Sequence, residues 1–211
     1  MLTTKNRGNA KSVSVVTANY NNGQYLVEYF DSLMTSSVLA DEIIIVDDGS
    51  TDDSKEIISR AVRSNPLITP IYLHENVGFA NALNIGVERA TSEYILRLDP
   101  DDFMGPQRIE MQVDFLEKNL DIGIVGSNVI YFSGIDHKEV GGSNFQSTSQ
   151  WVHECYRTGD NGVMHGTVLG RSEHFKKNLY RQEWVPAEDY DLFTRMLVGG
   201  VRFANLMEQL T

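Results

Sequence analysis

The sequence predicts an α/β fold in which one domain is built on a mainly parallel sheet flanked by helices. Segments with strand and helix patterns alternate four times before residue 119, and this alternation implies right-handed βαβ units. The run Glu42–Val46 is nearly continuous in apolar, β-branched residues, as expected of a parallel strand covered on both faces. With 211 residues, the chain has the size of one ordinary domain around a single core.

Each predicted element of the first half follows from its apolar pattern. The predicted strands are Val13–Thr17, Glu42–Val46, Ile68–Leu73 and Tyr94–Leu98. Apolar residues at helical spacing predict helices around residues 26–33, 57–62, 79–90 and 109–116. Pro70 interrupts the third strand and therefore predicts an edge position. Asp53 and Glu56 have the spacing of a capping box at the start of the second helix.

The second half has a less regular pattern. The expected features are a strand at Ile122–Phe132 broken at Gly126 and Ser127, a surface loop at Ser133–Gln150, a strand at Val163–Leu169, a loop at Trp184–Asp189 leading into a helix, and a strand at Val201–Leu206. The surface loop is predicted from its Gly, Ser and Asn content. Because the chain stops at Thr211 with no closing element, we expect a domain truncated from a longer protein.

Polar turns follow three of the predicted strands. They are Asn19–Gly23 after the first, Asp47–Asp52 after the second and Asp99–Asp102 after the fourth. In parallel sheets, ligands bind outside the carboxyl ends of the strands. We therefore expect the three turns to meet at one edge of the sheet and to form a binding site there.

The last of these turns places Asp99, Asp101 and Asp102 within four positions. Their mutual repulsion and desolvation are unfavourable unless a cation relieves them. Oxygen ligands suit a hard divalent ion, so the turn predicts a site for Mg²⁺ or Mn²⁺. A solvated acidic turn or a helix N-terminus, where the dipole favours Asp, is the structural alternative.

Composition excludes some classes of function. The net charge of −11 argues against nucleic acid as a partner. The single cysteine, Cys155, permits no intrachain disulfide and indicates a reducing compartment; we expect it to be a small buried residue rather than a nucleophile. The polar segment of residues 1–11 lacks the apolar core of a signal peptide. The sequence has no stretch of about 18 apolar residues, so it predicts no transmembrane helix.

Five motifs in this order make the chain resemble an inverting glycosyltransferase of family 2, a class with the GT-A fold. They are the strand and turn Val13–Asn21, the V-D-D-G-S-T-D of Val46–Asp52, an altered N-x-G-x-x-x-A-x-N-x-G at Asn76–Gly86, the D-x-D of Asp99–Asp101, and the E-D pair Glu188–Asp189. The resemblance extends from Val13 to about Leu206. It implies a Rossmann-like sheet, a nucleotide-sugar donor and a Mn²⁺ or Mg²⁺ cofactor.

The resemblance also implies how the donor is held. Tyr20 would stack on the nucleobase, and Asp48 would accept a hydrogen bond from an imide N–H, which favours a UDP- or dTDP-sugar. Ala18 stands at a base-contacting position where relatives commonly have Pro. The remaining implied contacts to the donor come from Asn76, Gly78 and Asn81, the last of which lies where many relatives have a basic residue near the phosphates.

For catalysis, the resemblance assigns the metal to Asp101 and Asp99, with Asp99 also able to reach the ribose. Asp189 would be the base that takes the proton from the acceptor hydroxyl. Glu188 would position the acceptor or support its loop, and His165 would lie beside the sugar. Inversion requires this one base and no covalent intermediate.

The expected organisation is a single GT-A catalytic domain over residues 1–211, with a nucleotide-binding half at about 12–102 and an acceptor-side half at about 103–211. The expected partners are a nucleotide-sugar donor and a glycan or lipid-linked acceptor, in bacterial-type polysaccharide synthesis. The expected location is the cytoplasm, including the inner face of the membrane, where a region beyond Thr211 would provide peripheral attachment. The sequence does not specify an oligomeric state.

Four other functions are alternatives to this interpretation. A sugar-nucleotide pyrophosphorylase would need a basic, glycine-rich loop after the first strand, whereas Asn19–Gly23 has one glycine and no Lys or Arg. A phosphatase of the haloacid dehalogenase type would need Thr at Phe103, and a dinucleotide-binding oxidoreductase would need G-x-G-x-x-G after a strand. A nucleotide-sugar binding module without turnover stays open, although the D-x-D and E-D motifs argue for an enzyme.

Overall fold

The computed structural model describes residues 11–134 and 138–211, so most of the polar N-terminal segment lies outside the described residues. The first half contains strands β1 (Val13–Asn19), β2 (Glu42–Asp47), β3 (Ile68–Tyr72) and β4 (Tyr94–Arg97), with helices α1 (Gly23–Met34), α2 (Ser54–Ser64), α3 (Phe79–Arg89) and α4 (Arg108–Lys118). The second half contains strands β5 (Ile124–Asn128), β6 (Ile130–Phe132), β7 (Glu139–Gly142), β8 (Leu169–Arg171) and β9 (Phe203–Gln209), with helices α5 (Ser149–Thr158), α6 (Ser172–Lys177) and α7 (Glu188–Val198). Short 3₁₀ helices occupy His165–Thr167 and Gln182–Trp184.

Seven strands form one sheet in the order β3-β2-β1-β4-β8-β5-β9. The pairs β1–β2, β1–β4, β2–β3 and β5–β9 are parallel, and β8 is antiparallel to both of its neighbours. The predicted α/β fold with a mainly parallel sheet is therefore confirmed. Strand β3 lies at one edge, as Pro70 predicts, and Pro70 pairs with Ile45 in the register.

Helices cover both faces of the sheet because successive strand residues point to opposite sides. Val13 and Val15 of β1 belong to a core with α1, α2 and α4, whereas Val16 and Ala18 belong to a core with α3, α5, α6 and α7. All seven residues of β1 are buried, including the polar Ser14, Thr17 and Asn19, as expected of a strand covered on both faces. Because β1, β2, β4 and β5 all run in the same direction, their C-terminal ends lie at the same edge of the sheet.

The predicted strand at Val163–Leu169 is wrong over most of its length. Residues His165–Thr167 form a 3₁₀ helix, and only Leu169 belongs to β8. Both the backbone N–H and the hydroxyl of Thr167 donate to the carbonyl of Met164, at 3.1 and 2.8 Å. These local hydrogen bonds hold a turn where the apolar pattern alone favours a strand.

The predicted break at Gly126 and Ser127 is present only as a shift in the register between β5 and β9, between Gly126 and Asn128. Gly126 and Ser127 are inside β5, and the interruption is at Val129, between β5 and β6. A Cβ on Gly126 would collide with the side-chain oxygen of Asn205 on β9. The glycine therefore permits close approach of a neighbouring strand rather than ending its own.

The predicted loop at Ser133–Gln150 contains β7, which pairs with β6 as a hairpin, and it ends in α5. Residues 135–137 of this loop lie outside the described residues. Helices α5 and α6 were not predicted. The capping box is wrong, because Asp53 makes no side-chain cap and it is Asp52 that accepts from the backbone of Ser54, at 3.0 Å.

Candidate functional site

A cavity with a volume of about 290 Å³ lies where the turns after β1, β2 and β4 meet. It is lined by Ala18, Asn19, Tyr20, Asn22, Asp48, Asn76, Phe79, Asp99, Pro100 and Asp101. Six of the predicted site residues are in this lining, so the expected convergence of the polar turns is confirmed. Gly78, Asn81, His165, Glu188 and Asp189 are not part of the lining and are described in turn below.

The first two turns are joined by hydrogen bonds between motif residues. The side-chain amide of Asn19 donates to Asp47 at 2.9 Å and to the hydroxyl of Ser50 at 3.2 Å. The side-chain oxygen of Asn21 accepts from the backbone of Thr51 at 2.8 Å. The side chains of Asn19 and Asn21 thus hold the two turns together. Tyr20 and Asp48 line the cavity.

Asp48 is 2% exposed, and both of its carboxylate oxygens accept backbone hydrogen bonds. Val77 donates to one oxygen at 2.7 Å, and Gly78 donates to the other at 3.0 Å. Asp48 therefore fixes the loop that leads into α3. Because an ionised carboxylate has about four acceptor sites, a further hydrogen bond from a nucleobase is compatible with this arrangement.

Two glycines allow the neighbouring loops to approach each other. Gly49 has φ +72° and Gly78 has φ +95°, where other residues are strained. A Cβ on Gly49 would lie 2.7 Å from the carbonyl carbon of Glu75, and one on Gly78 would lie 2.5 Å from Nε2 of Gln182. Gly78 thus serves the packing of the loop rather than the wall of the cavity.

The rim of the cavity is open at Tyr20, which is 46% exposed. Ala18 is buried near the end of β1, and Asn76 is exposed in the lining of the cavity. Asn81 is exposed on α3, and its side-chain amide donates to the carbonyl of Val77 at 2.8 Å. Asn81 therefore lies beside the donor-side loop without lining the cavity.

Arg97, the last residue of β4, is a site residue that the sequence reasoning missed. Its side chain is buried, forms an ion pair with Asp99 and donates to the carbonyl of Leu98. Its guanidinium carbon lies 5.3 Å from the centre of the Phe79 ring, within the range of a cation–π interaction. Burial acts to raise the pKa of Asp99, but the charge and hydrogen bond of Arg97, together with His165 and Arg108, hold that pKa below its usual value.

The other two acids of the motif have the opposite shift. Burial, followed by the charge of Asp99, raises the pKa of Asp101. Burial and the charges of Asp99 and Asp101 raise the pKa of Asp102 to about 6. These hard, mutually repelling oxygen donors fit a divalent ion. Among the described residues, no three His, Cys, Asp or Glu side chains are placed to hold a metal by themselves, so substrate and water would complete its coordination.

A second buried arginine supports the end of β4. Arg108 of α4 donates to the carbonyl of Arg97 at 2.8 Å and to the side-chain oxygen of Gln112 at 3.1 Å. Burial lowers the pKa of Arg108 to about 9. A basic residue in a helical pattern is normally expected at the surface, so only the tertiary structure identifies this contact.

Glu188 and Asp189 begin α7, as the E-D motif predicts. Burial raises the pKa of Asp189, and the charge of Asp99 raises it further. Oδ1 of Asp189 accepts from the backbone of Tyr190 at 2.7 Å. Glu188 is buried, burial raises its pKa, and its Oε2 has no hydrogen-bond partner among the described residues.

The segment before α7 is attached to α3. The side chain of Asn84 accepts from the backbone N–H of Tyr180 at 2.8 Å and donates to its carbonyl at 2.9 Å. Oε1 of Gln182 accepts from the backbone of Asn81 at 3.3 Å. The N-terminal part of α3 therefore contacts both the donor-side loop and the segment that carries Glu188 and Asp189.

A buried carboxylate fixes this segment to α7 as well. Asp191 forms ion pairs with Arg181 and Arg195, each at 2.9 Å. Trp184, between these anchored positions, is 50% exposed. The predicted loop at Trp184–Asp189 is thus held at both ends.

His165 lies in its 3₁₀ helix with Nε2 at 2.7 Å from the hydroxyl of Tyr180. Its ring lies 6.2 Å from that of Phe79, which lines the cavity. Burial and the nearby charge of Arg97 lower the pKa of His165 to about 3, so this imidazole is neutral near pH 7. His165 is therefore behind the cavity wall rather than in it.

The lengths and compositions of the helices also bear on membrane crossing. In the described ranges, every helix is too short or too polar to cross a bilayer.

Comparison with known proteins identifies the family. The model of glycosyl transferase family 2 matches residues 14–185. An uncharacterised glycosyltransferase of Haemophilus influenzae is 30% identical over 96% of this chain, which spans 65% of that relative. The amylovoran biosynthesis glycosyltransferase AmsE of Erwinia amylovora is 30% identical over 94% of this chain and 74% of its own length.

Two solved structures show the same fold. TarS of S. aureus in complex with UDP-GlcNAc has a TM-score of 0.75 and 21% identity, over 94% of this chain and 57% of TarS. The mannosyltransferase PcManGT of Pyrobaculum calidifontis, in complex with GDP-Man and Mn²⁺, has a TM-score of 0.71 and 20% identity, over 94% of this chain and 55% of its own. The family match and the GT-A neighbours agree with the motifs at the cavity. The chain belongs to glycosyl transferase family 2.

Proposed function

We propose that this chain catalyses the metal-dependent, inverting transfer of a sugar from a nucleoside diphosphate donor to a hydroxyl of a glycan or lipid-linked acceptor. UDP- and dTDP-sugars are the favoured donors. The observation that carries the proposal is the cavity at which Tyr20, Asp48, Asp99 and Asp101 converge. The name of the Erwinia relative supports a role in polysaccharide synthesis.

In this proposal the donor binds mainly to the half formed by residues of about 12–102. The exposed ring of Tyr20 stacks on the nucleobase, an interaction of about 1–3 kcal/mol per base. Asp48 is held by the backbone of Val77 and Gly78, so its carboxylate is already oriented when an imide N–H reaches it. This preorganisation favours uracil or thymine, which present such a donor.

Asp101 and Asp99 would hold Mn²⁺ or Mg²⁺. The bound ion would supply the positive charge that stabilises the departing nucleoside diphosphate. Exposure of Asp101 at the cavity supports its role as the direct ligand, whereas Asp99 has one oxygen engaged by Arg97. The complex of PcManGT with GDP-Man and Mn²⁺ supports a divalent cofactor of this kind.

The acceptor would bind to the half formed by residues of about 103–211. Asp189 takes the proton of the acceptor hydroxyl while the acceptor oxygen forms a bond to the anomeric carbon of the donor sugar. The bond between this carbon and the diphosphate oxygen breaks at the same time. A single displacement of this kind inverts the anomeric centre. The raised pKa of Asp189 makes it a stronger base than an ordinary aspartate. Glu188 orients the acceptor, and neutral His165 supports the wall beside the sugar.

The proposal is tested by calorimetry of the wild-type chain with UDP, dTDP, GDP, CDP and ADP, in Mn²⁺ and in EDTA. We expect UDP and dTDP to bind tightest and EDTA to weaken them. Asp101→Ala should abolish the gain from Mn²⁺. Because Asp48 also holds the loop at Val77 and Gly78, comparing nucleotides on the wild-type chain tests base recognition more cleanly than removing Asp48 does.

Several results would contradict parts of the proposal. Equal affinity for all five nucleotides would exclude base reading by Asp48, and tightest binding of GDP would assign a GDP-sugar donor. Mn²⁺-dependent binding retained in Asp101→Ala would place the ion elsewhere. Tight UDP binding without any hydrolysis of a panel of UDP-sugars in Mn²⁺ would favour a binding module over an enzyme.

A further inference from the structure

Arg97 is a buried cation directly beneath the acidic motif. The residue is 1% exposed, although arginine is rarely buried in this way unless it is paired. Its guanidinium contacts the Asp99 carboxylate, the Leu98 carbonyl and the face of Phe79. Its Nε has no hydrogen-bond partner within the described part of the chain. The charge is thus fixed in place with part of its hydrogen-bonding capacity unused.

The charge of Arg97 acts on acids from both halves of the site. It helps to hold the pKa of Asp99 below its usual value, and it opposes the rise that burial causes in the pKa values of Asp101, Asp102, Glu188 and Asp189. Arg108 approaches from behind, where it donates to the Arg97 carbonyl rather than to a carboxylate. Arg97 is therefore the arginine in direct contact with the motif, while Arg108 supports the strand.

We propose that Arg97 is a positioning residue that sets the cation and anion affinities of the site by occupying one oxygen of Asp99 and adding a fixed positive charge. This inference rests on the proposed function, because it concerns the ion and the diphosphate of that reaction. A fixed cation repels a divalent ion and attracts a diphosphate at the same place. Arg97 therefore weakens binding of the metal alone and strengthens binding of the diphosphate alone.

This role predicts opposite effects on two ligands when the charge is removed. In Arg97→Met, Mn²⁺ alone should bind about fivefold or more tightly than in the wild type, because one positive charge is lost and one Asp99 oxygen is freed. Pyrophosphate in EDTA should bind several-fold more weakly. Damage to the site would weaken both ligands, so the opposite signs separate electrostatic tuning from disruption.

The measurements are Mn²⁺ titration followed by electron paramagnetic resonance, and pyrophosphate titration by calorimetry. Arg97→Lys keeps the charge and should stay within about twofold of the wild type for both ligands. Arg63→Met is the control for net charge, since Arg63 is exposed near the C-terminal end of α2, away from the edge that carries the site. It should change neither affinity.

The outcome that overturns the proposal is a folded Arg97→Met protein that binds Mn²⁺ no more tightly than the wild type. If circular dichroism shows that Arg97→Met does not fold, Arg97→Gln takes its place, because its amide can still donate to Leu98. A wild-type chain that binds no Mn²⁺ would instead refute the metal dependence in the proposed function. Pyrophosphate has no base, so a wrong assignment of the nucleobase does not affect this test.

Discussion

At the scale of single residues, identical side chains in the acidic motif have different chemistry because their neighbours differ. Arg97 holds the pKa of Asp99 down, whereas burial beside two other carboxylates raises that of Asp102 to about 6. A Cβ on Gly166 would lie 2.7 Å from a carboxylate oxygen of Asp102, so the 3₁₀ helix covers this acid closely. Asp102 is thus an ionised group in an unfavourable environment at neutral pH.

This environment predicts that Asp102→Asn stabilises the metal-free protein at pH 7.5. Because the pKa of Asp102 is higher in the folded state than in the unfolded state, the charged carboxylate lowers the free energy of unfolding. This loss is complete above the folded-state pKa, where the group is charged in both states. We expect the free energy of unfolding to rise by about 1–2 kcal/mol in EDTA. The difference from wild type should shrink as the pH falls from about 6 towards 4, because the folded wild type then takes up a proton.

Urea unfolding at several pH values measures this difference. Asp160→Asn, at an exposed position after α5, serves as the control and should show no such pH-dependent gain. A folded Asp102→Asn protein less stable than the wild type at pH 7.5 would show that Asp102 makes a favourable interaction in its charged form.

At the scale of elements, helix α3 joins the two sides of the site. Its first turn packs beside the loop held by Asp48, and Asn84 holds the backbone of Tyr180 through two hydrogen bonds. The segment between Tyr180 and α7 has little regular structure of its own apart from the 3₁₀ helix Gln182–Trp184. Its position therefore depends on these contacts.

We predict that Asn84→Ala destabilises the protein by about 1–3 kcal/mol, since both main-chain groups of Tyr180 lose a partly buried partner. Amide hydrogen exchange should increase most across residues 180–187. Asn81→Ala, at an exposed position of the same helix, is the matched control and should have a smaller effect on both measurements. Unchanged exchange at 180–187 in Asn84→Ala would mean that Asp191 and its arginines suffice to hold the segment.

At the scale of the whole molecule, the proposed base and the proposed metal ligands lie far apart in the chain. Asp99 and Asp101 follow β4, whereas Asp189 begins α7, about ninety positions later in the chain. Hydrogen bonds of Asn84 with Tyr180, and of the Asn81 backbone with Gln182, attach the segment before α7 to helix α3 beside the cavity. Binding of the donor and removal of the acceptor proton can therefore be separated by substitution.

Asp189→Asn should lower kcat by about 10²–10⁴-fold, the range for loss of a general base, with nucleotide affinity nearly unchanged. In the wild type, the rate should fall on acidification at a higher pH than for an ordinary aspartate, because burial raises the pKa of this base. Transfer kinetics and nucleotide calorimetry test the two parts. A wild-type rate in Asp189→Asn would make Glu188 the next candidate base.

The sequence by itself determined the architecture and the edge at which the site lies. Strand and helix periods are local properties, so β1 to β4 and α1 to α4 follow from the apolar pattern, and parallel strands bring their polar turns together at one edge. The turns that carry Tyr20, Asp48, Asp99 and Asp101 are therefore predicted to lie at this edge, whereas the roles of these residues are implied by the resemblance to family 2 glycosyltransferases.

Only the tertiary structure decided which polar groups hold the site in place. The burial of Arg97 and Arg108, the two amides on Asp48 and the attachment of Tyr180 to Asn84 join residues far apart in the chain. Such contacts carry no local period, because they depend on which distant donor finds which acceptor once the chain has folded.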